Sequence, residues 1–205
     1  EAMARGDGGA GGGVSGAGAP AIGDPEKPGA RAAPFSVLFF LTEGYSMMAL
    51  SAAVEPLRSA NRVLGRASFA WSVAAERAGP VAASNGFELQ AHRGVADAPR
   101  ASLTVVVASL GVELYASRPV FSWLRRLKAE GRLIGAVSNG AMILARAGVV
   151  GGHRVTLHWE QADALAEGHP DVRVSRDLYC WDRGVVTAAG GTAALDMMLA
   201  IIAER

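Results

Sequence analysis

Two short stretches carry residue types that can do chemistry together. The first is Ala136-Val137-Ser138-Asn139-Gly140, which sets a polar pair between an apolar run and a helical pattern. A sharp strand-to-helix turn of this kind lifts a side chain out of the sheet. The helix start then offers N–H groups where an oxyanion would form. The plainer role for Ser138 and Asn139 is to cap the helix that follows. The second stretch is His158-Trp159-Glu160. An imidazole beside a serine can act as its base, and a carboxylate can orient the ring. The plainer role is a hydrogen-bonded loop histidine with a core tryptophan. Cys180 sits in Tyr179-Cys180-Trp181, far from both stretches in sequence, and reads as a small, partly buried hydrophobe.

Both stretches need a scaffold, and the pattern supplies one. Phe35–Leu41 and Phe69–Ala75 read as strands, and Leu103–Ala108 is a continuous Val-rich run of the parallel-sheet kind. Arg132–Val137, Arg154–Leu157, Val172–Ser175 and Val185–Ala188 are further extended pieces. Met47, Leu50, Val54, Leu57 and Leu64 recur at helical spacing, with Pro56 expected to kink their helix. Helices are also expected over Pro119–Glu130, Ala141–Ala147, Glu160–Glu167 and around Leu195–Ile202. Asn85-Gly86 inside Val81–Gln90 marks a tight hairpin, because both residues tolerate positive φ. Alternation of strand and helix implies crossover units and a sheet covered on both faces. The fold expected is α/β: a three-layer α/β/α sandwich with a mostly parallel sheet, whose ligands sit at the carboxyl ends of strands.

Composition narrows the function. The chain has 205 residues, half of them hydrophobic, with 20 Lys plus Arg against 19 Asp plus Glu. That balance argues against a domain whose main task is to hold phosphate backbones. One cysteine excludes an internal disulfide framework and a Cys-rich metal site, and fits a reducing, cytoplasmic compartment. No apolar run reaches the roughly 18–20 residues that span a bilayer. Residues 1–33 are rich in Gly and Ala without an aromatic residue, and read as a disordered lead-in. Residues 34–205 read as one domain. Arg125, Arg126, Lys128 and Arg132 form a basic cluster, taken as a solvated helix face. Met47, Met48, Met197 and Met198 read as core filler or subunit contact.

A resemblance covers this whole domain. Phe39-Phe-Leu-Thr-Glu-Gly-Tyr-Ser-Met-Met48, Glu55-Pro-Leu-Arg-Ser-Ala-Asn61, Ser138-Asn-Gly-Ala141, Val155-Thr-Leu-His-Trp159 and Ala188-Ala-Gly-Gly-Thr-Ala-Ala-Leu-Asp-Met-Met198 carry it. The chain resembles the DJ-1/ThiJ/PfpI superfamily, related to class I glutamine amidotransferases and flavodoxin-like in fold. More closely, it is similar to the N-terminal sensor domain of GlxA-type regulators in the AraC family. The resemblance implies a cysteine at the elbow of the enzymes, where this chain has Ser138. It also implies an acidic residue in the first helix, where this chain has Ala49. A serine without a strong base is a poor nucleophile, so no catalytic residue, cofactor or metal is expected. His158 with Glu160 resembles the His-x-Glu pair of the amidotransferases. That keeps a serine-dependent hydrolase or amidase, or a hydratase/glyoxalase-like enzyme, as the alternative.

A sensor would keep the cleft without the chemistry. The elbow, the Ser109–Gly111 loop, the His158 strand end and the Gly190-Gly191-Thr192 loop are expected to converge. Ser138, Asn139, His158, Trp159, Glu160, Gly111 and Thr192 would then bind an effector, joined by Asn61 and Glu55 from the first helix. Amides at the elbow would favour a carboxylate, while Trp159 and Glu160 would favour a cation. A small zwitterion suits both. The most similar regulators resemble those controlling catabolism of arginine, carnitine or glycine betaine. Homodimerisation is expected, with DNA contact only through a C-terminal helix-turn-helix domain that this stretch lacks, and with no membrane.

Overall fold

The structure is a computed structural model that describes residues 33–109 and 111–205. The lead-in expected over residues 1–33 lies, save for Ala33, outside the described residues. Strand β1 (Phe35–Leu41) leads into α1 (Met47–Leu64), then β2 (Phe69–Ala75) and a hairpin of β3 (Gly79–Ala82) and β4 (Glu88–Ala91). A two-residue β5 (Arg93–Gly94) and β6 (Leu103–Ala108) follow, then α2 (Arg118–Ala129), β7 (Leu133–Ser138) and α3 (Gly140–Arg146). The remainder is β8 (Arg154–Val155), α4 (Ala162–Gly168), β9 (Arg173–Val174), β10 (Tyr179–Asp182), β11 (Val185–Ala188) and α5 (Ala193–Ala203).

Seven strands form one sheet in the order β10-β11-β7-β6-β1-β2-β5. Every neighbouring pair is parallel except β10 with β11. Alternate side chains of β1 serve opposite cores. Leu38 and Phe40 pack with Trp123 and Leu124 of α2 and with α3, whereas Val37, Phe39 and Leu41 pack with α1 and α5. Both sets are at most 1% exposed, which is why β1 and β6 read as unbroken apolar runs rather than alternating ones. The three-layer expectation therefore holds.

Local deviations have local causes. Helix α1 runs unbroken through Pro56; Ser46 Oγ caps its start by accepting from Ala49 N, and Gly65 closes it at φ 62°. Of the pair Asn85-Gly86 only Gly86 takes positive φ, and the hairpin turns over five residues with Ala83 N–H donating to Phe87 O. The strand expected over Arg154–Leu157 stops at Val155, because Thr156 N–H donates instead to the Thr187 hydroxyl at 2.8 Å.

Candidate functional site

The elbow forms at the carboxyl end of β7. Ser138 has φ 55°, a left-handed conformation that a residue with a Cβ adopts only when its surroundings impose it. Register imposes it here. Ser138 is the last β7 residue paired with β6, opposite Ala108, and Asn139 N–H donates to Ala108 O at 3.2 Å. The chain must then turn at once into α3, over a floor with no room: a Cβ at Gly140 would lie 2.4 Å from Val106 O. Asn139 pins the neighbouring loop, its amide donating to Ser109 O at 2.7 Å, while its buried Oδ1 finds no partner among the described residues.

Two loops close over Ser138. His158 N–H donates to Ser138 O at 3.3 Å, and Gly190 sits at φ 104° against the serine. A Cβ at position 190 would come within 2.9 Å of Ser138 Cα and 3.1 Å of its Oγ. The serine is consequently 3% exposed and lies behind the Gly190 wall rather than in open space.

On the outer side of that wall is a cleft of about 350 Å³. His158, Trp159 and Thr192 line it, together with Leu178, Arg176 and Asp196. Trp159 is 72% exposed, so the core role is excluded for it. The rings of His158 and Trp159 lie 5.8 Å apart. His158 Nδ1 is buried and has no hydrogen-bond partner among the described residues; its 3.5 Å approach to Glu160 Oε2 is an ion-pair distance without hydrogen-bond alignment. Among the described residues Arg176 reaches only the exposed Asp163, at 3.5 Å. A pair so open to water contributes little and leaves the guanidinium available.

Not every expected residue comes to this place. Gly111 lines a different cleft, since the segment after β6 turns toward the ends of β1 and β2. Asn61 is corrected outright. Its amide donates to Phe69 O at 2.8 Å and accepts from Phe69 N at 2.9 Å, at the start of β2 and so at the opposite end of the sheet. Glu55 is exposed and holds Arg58 at 2.6 Å. Ser138, Asn139 and Glu160 do not line this cleft: Ser138 lies behind its Gly190 wall, and the Asn139 amide is turned to Ser109 O. Ala49, where an acidic side chain was looked for, is fully buried against the sheet. Cys180 is buried on β10, and burial, ahead of any neighbour, pushes its thiol above the ordinary value. Arg176 and Asp196 were missed, because nothing in their local sequence marks a site; only folding brings them together.

Residues 35–204 match the DJ-1/PfpI family. The chain belongs to the DJ-1/PfpI family. Among curated DJ-1/PfpI relatives, the HTH-type transcriptional regulator CdhR of Pseudomonas aeruginosa is 38% identical over 81% of this chain and 49% of its own length. The HTH-type transcriptional regulator GlxA of Rhizobium meliloti is 37% identical over 82% of this chain and 52% of its own. The chain thus spans about half the length of these relatives. Of solved DJ-1/PfpI structures, an AraC family transcriptional regulator from Pseudomonas putida superposes with TM-score 0.76 at 29% identity, covering 83% of this chain and 92% of that one. Drosophila melanogaster DJ-1beta shares the fold, with TM-score 0.72 at 22% identity over 84% of this chain and 90% of its own.

Proposed function

We propose that this DJ-1/PfpI domain is the effector-sensing part of a transcriptional regulator. Its ligand is a small amine or zwitterion such as an amino acid, carnitine or a betaine. The likeness to CdhR, GlxA and the Pseudomonas putida regulator supports the regulatory part of the reading. One observation carries the ligand class: the cleft beside the elbow places Arg176 and Asp196, charges of both signs, around the exposed Trp159 and the unpartnered His158 Nδ1. An anionic end meets the guanidinium, and a cationic end meets the carboxylate and the indole face. Binding would shift the balance between two arrangements of a homodimer, by no more than the ligand's differential affinity for them. DNA contact belongs to a separate domain in this reading, and the setting is cytoplasmic.

The reading also explains the elbow. With serine in place of cysteine and Ala49 in place of an acid, the nucleophile has neither a low pKa nor a supporting group. The strained Ser138 favours a second reading, a serine-dependent hydrolase or amidase; an isonitrile hydratase from Pseudomonas putida is 29% identical over 61% of this chain and 54% of its own length. Calorimetric titration with arginine, carnitine, choline and glycine betaine tests the sensor reading. Saturable binding lost in Asp196→Asn or Trp159→Ala supports it; no binding by any of the four removes its basis.

A further inference from the structure

A second cleft, of about 650 Å³, opens at the carboxyl ends of β1 and β2. It shares no lining residue with the cleft beside the elbow. Its place in the fold is telling. From β1 the chain passes through α1 to β2 on one side, while β6, β1's other neighbour, leads to β7 on the other. The strand order therefore reverses between β1 and β6. At such a point the connections leave on opposite faces and a crevice opens between them. Leu41 at the end of β1, with Thr42 and Glu43 after it, lines that crevice, and Gly111, Val112 and Tyr115 enter it after β6.

Both walls are held in place. The β3–β4 hairpin is fixed to the β1–α1 loop by Gly44 N–H on Ala82 O at 2.9 Å and Ser84 N–H on Tyr45 O at 2.9 Å. Ala82 N–H adds a bond to Glu43 Oε2 at 3.3 Å. Across the cleft, the Arg146 guanidinium donates to Val112 O and Tyr115 O, each at 3.0 Å. A pocket whose opposite walls are fixed independently keeps its shape without an occupant, so a ligand meets little ordering cost.

The lining has a definite chemistry. Leu41, Pro80, Val81 and Val112 give an apolar body, and Glu43 and Glu76 outnumber the one guanidinium, Arg77. The Tyr115 hydroxyl is buried without an aligned hydrogen-bond partner among the described residues; the Glu76 and Ser117 side chains lie beside it. Burial first, and then the Glu76 charge, push its proton loss far above the ordinary range, so it stays protonated and able to donate. Buried donors are rarely left without a partner. We infer that this cleft is a second small-molecule site, for a short amine that also carries a carboxylate: the ammonium lies against Glu43 and Glu76, and the carboxylate accepts from Tyr115 and Arg77. The inference stands apart from the reading of the elbow cleft, because no residue is common to both.

Backbone-amide NMR of the full chain tests it, with 4-aminobutanoate as the probe and butylamine and butanoate as its single-ended counterparts. The expected result is saturable shifts at Gly79, Val81, Gly111 and Val112 with 4-aminobutanoate. Binding should fall at least tenfold when either end is missing, and at least threefold in Glu76→Gln and in Tyr115→Phe. Asp196→Asn, in the other cleft, should leave it unchanged. Tyr115→Phe should melt no lower than the parent, since it removes a hydroxyl with no aligned partner among the described residues. The inference is overturned if those amides do not move, if neither Glu76→Gln nor Tyr115→Phe weakens binding, or if Asp196→Asn abolishes it.

Discussion

Gly190 packs directly onto Ser138: the room for a Cβ at 190 is already occupied by the serine, 2.9 Å from its Cα and Cβ. The contact joins the loop before α5 to the elbow after β7 and separates the serine from the cleft outside. Gly190→Ala would combine this clash with a φ of 104° that an L side chain rarely adopts. A loss of roughly 2–4 kcal/mol is expected. For a domain of this size that lowers the melting temperature by roughly 5–15 °C, measurable by calorimetry. A melting temperature unchanged from the parent would show that the loop moves freely away from Ser138.

Asn61 supplies a separate test. Its two bonds to the Phe69 backbone tie the end of α1 to the start of β2. Asn61→Ala leaves a half-buried N–H and C=O unpaired, and should cost about 1–3 kcal/mol in chemical denaturation. Effector affinity should not change, because the pair lies at the far end of the sheet. A variant of normal stability with weakened binding would return Asn61 to the ligand site.

His153 governs a pH window. Burial, and next the Lys128 ammonium 3.0 Å from its Nε2, hold its pKa below the ordinary histidine value; Asp182 O opposes them from 3.1 Å, and Arg183 adds to the depression. A group whose folded pKa is depressed contributes stability that is complete above its unfolded pKa, about 6.5, and is lost as pH falls through the folded value. Unfolding free energy should therefore decline as pH falls below about 6.5, so that it is lower at pH 5 than at pH 7. Asp182, which its neighbours hold far below the carboxylate range, loses its own contribution only under more acidic conditions. Lys128→Met should raise the His153 pKa and flatten the decline. NMR titration of the imidazole together with denaturation at the two pH values checks both.

The strand-helix alternation made the sheet legible from residues alone, because β1 and β6 are buried on both faces and β-rich throughout. The same rule hid β5, two residues long, and shortened the strand after Arg154, where a side chain takes over the pairing. At the site, Ser138 was legible because the end of β7 fixes it; His158 lies beyond the end of β8 and is held instead by its N–H on Ser138 O. Asn61 misled for a physical reason. A polar residue in an apolar stripe does need a partner, but Gly65 turns the chain back so that Phe69 provides it. Gly111 misled because the sequence does not show to which side of β1 the segment after β6 turns. Arg176 and Asp196 carry no motif at all, and meet only when α5 and the segment after β9 are placed.

Arg146 anchors the segment after β6 through two carbonyls, Val112 O and Tyr115 O. Arg146→Met keeps most of the side chain's bulk but releases both. Amide exchange at Val112–Tyr115 should quicken at least tenfold, corresponding to about 1.4 kcal/mol of local stability, while β6 and β7 remain protected. Unchanged exchange at those amides would mean that the guanidinium does not hold the segment.

Recovery of the ligand after binding tests the central claim most directly. The chain is incubated to equilibrium with whichever of arginine, carnitine, choline or glycine betaine binds, and the small molecule is then released and identified by mass. The expected result is stoichiometric binding, the compound returned chemically unchanged, and Ser138→Ala binding it within a few-fold of the parent. A converted compound from the parent, and an intact one from Ser138→Ala, would contradict it.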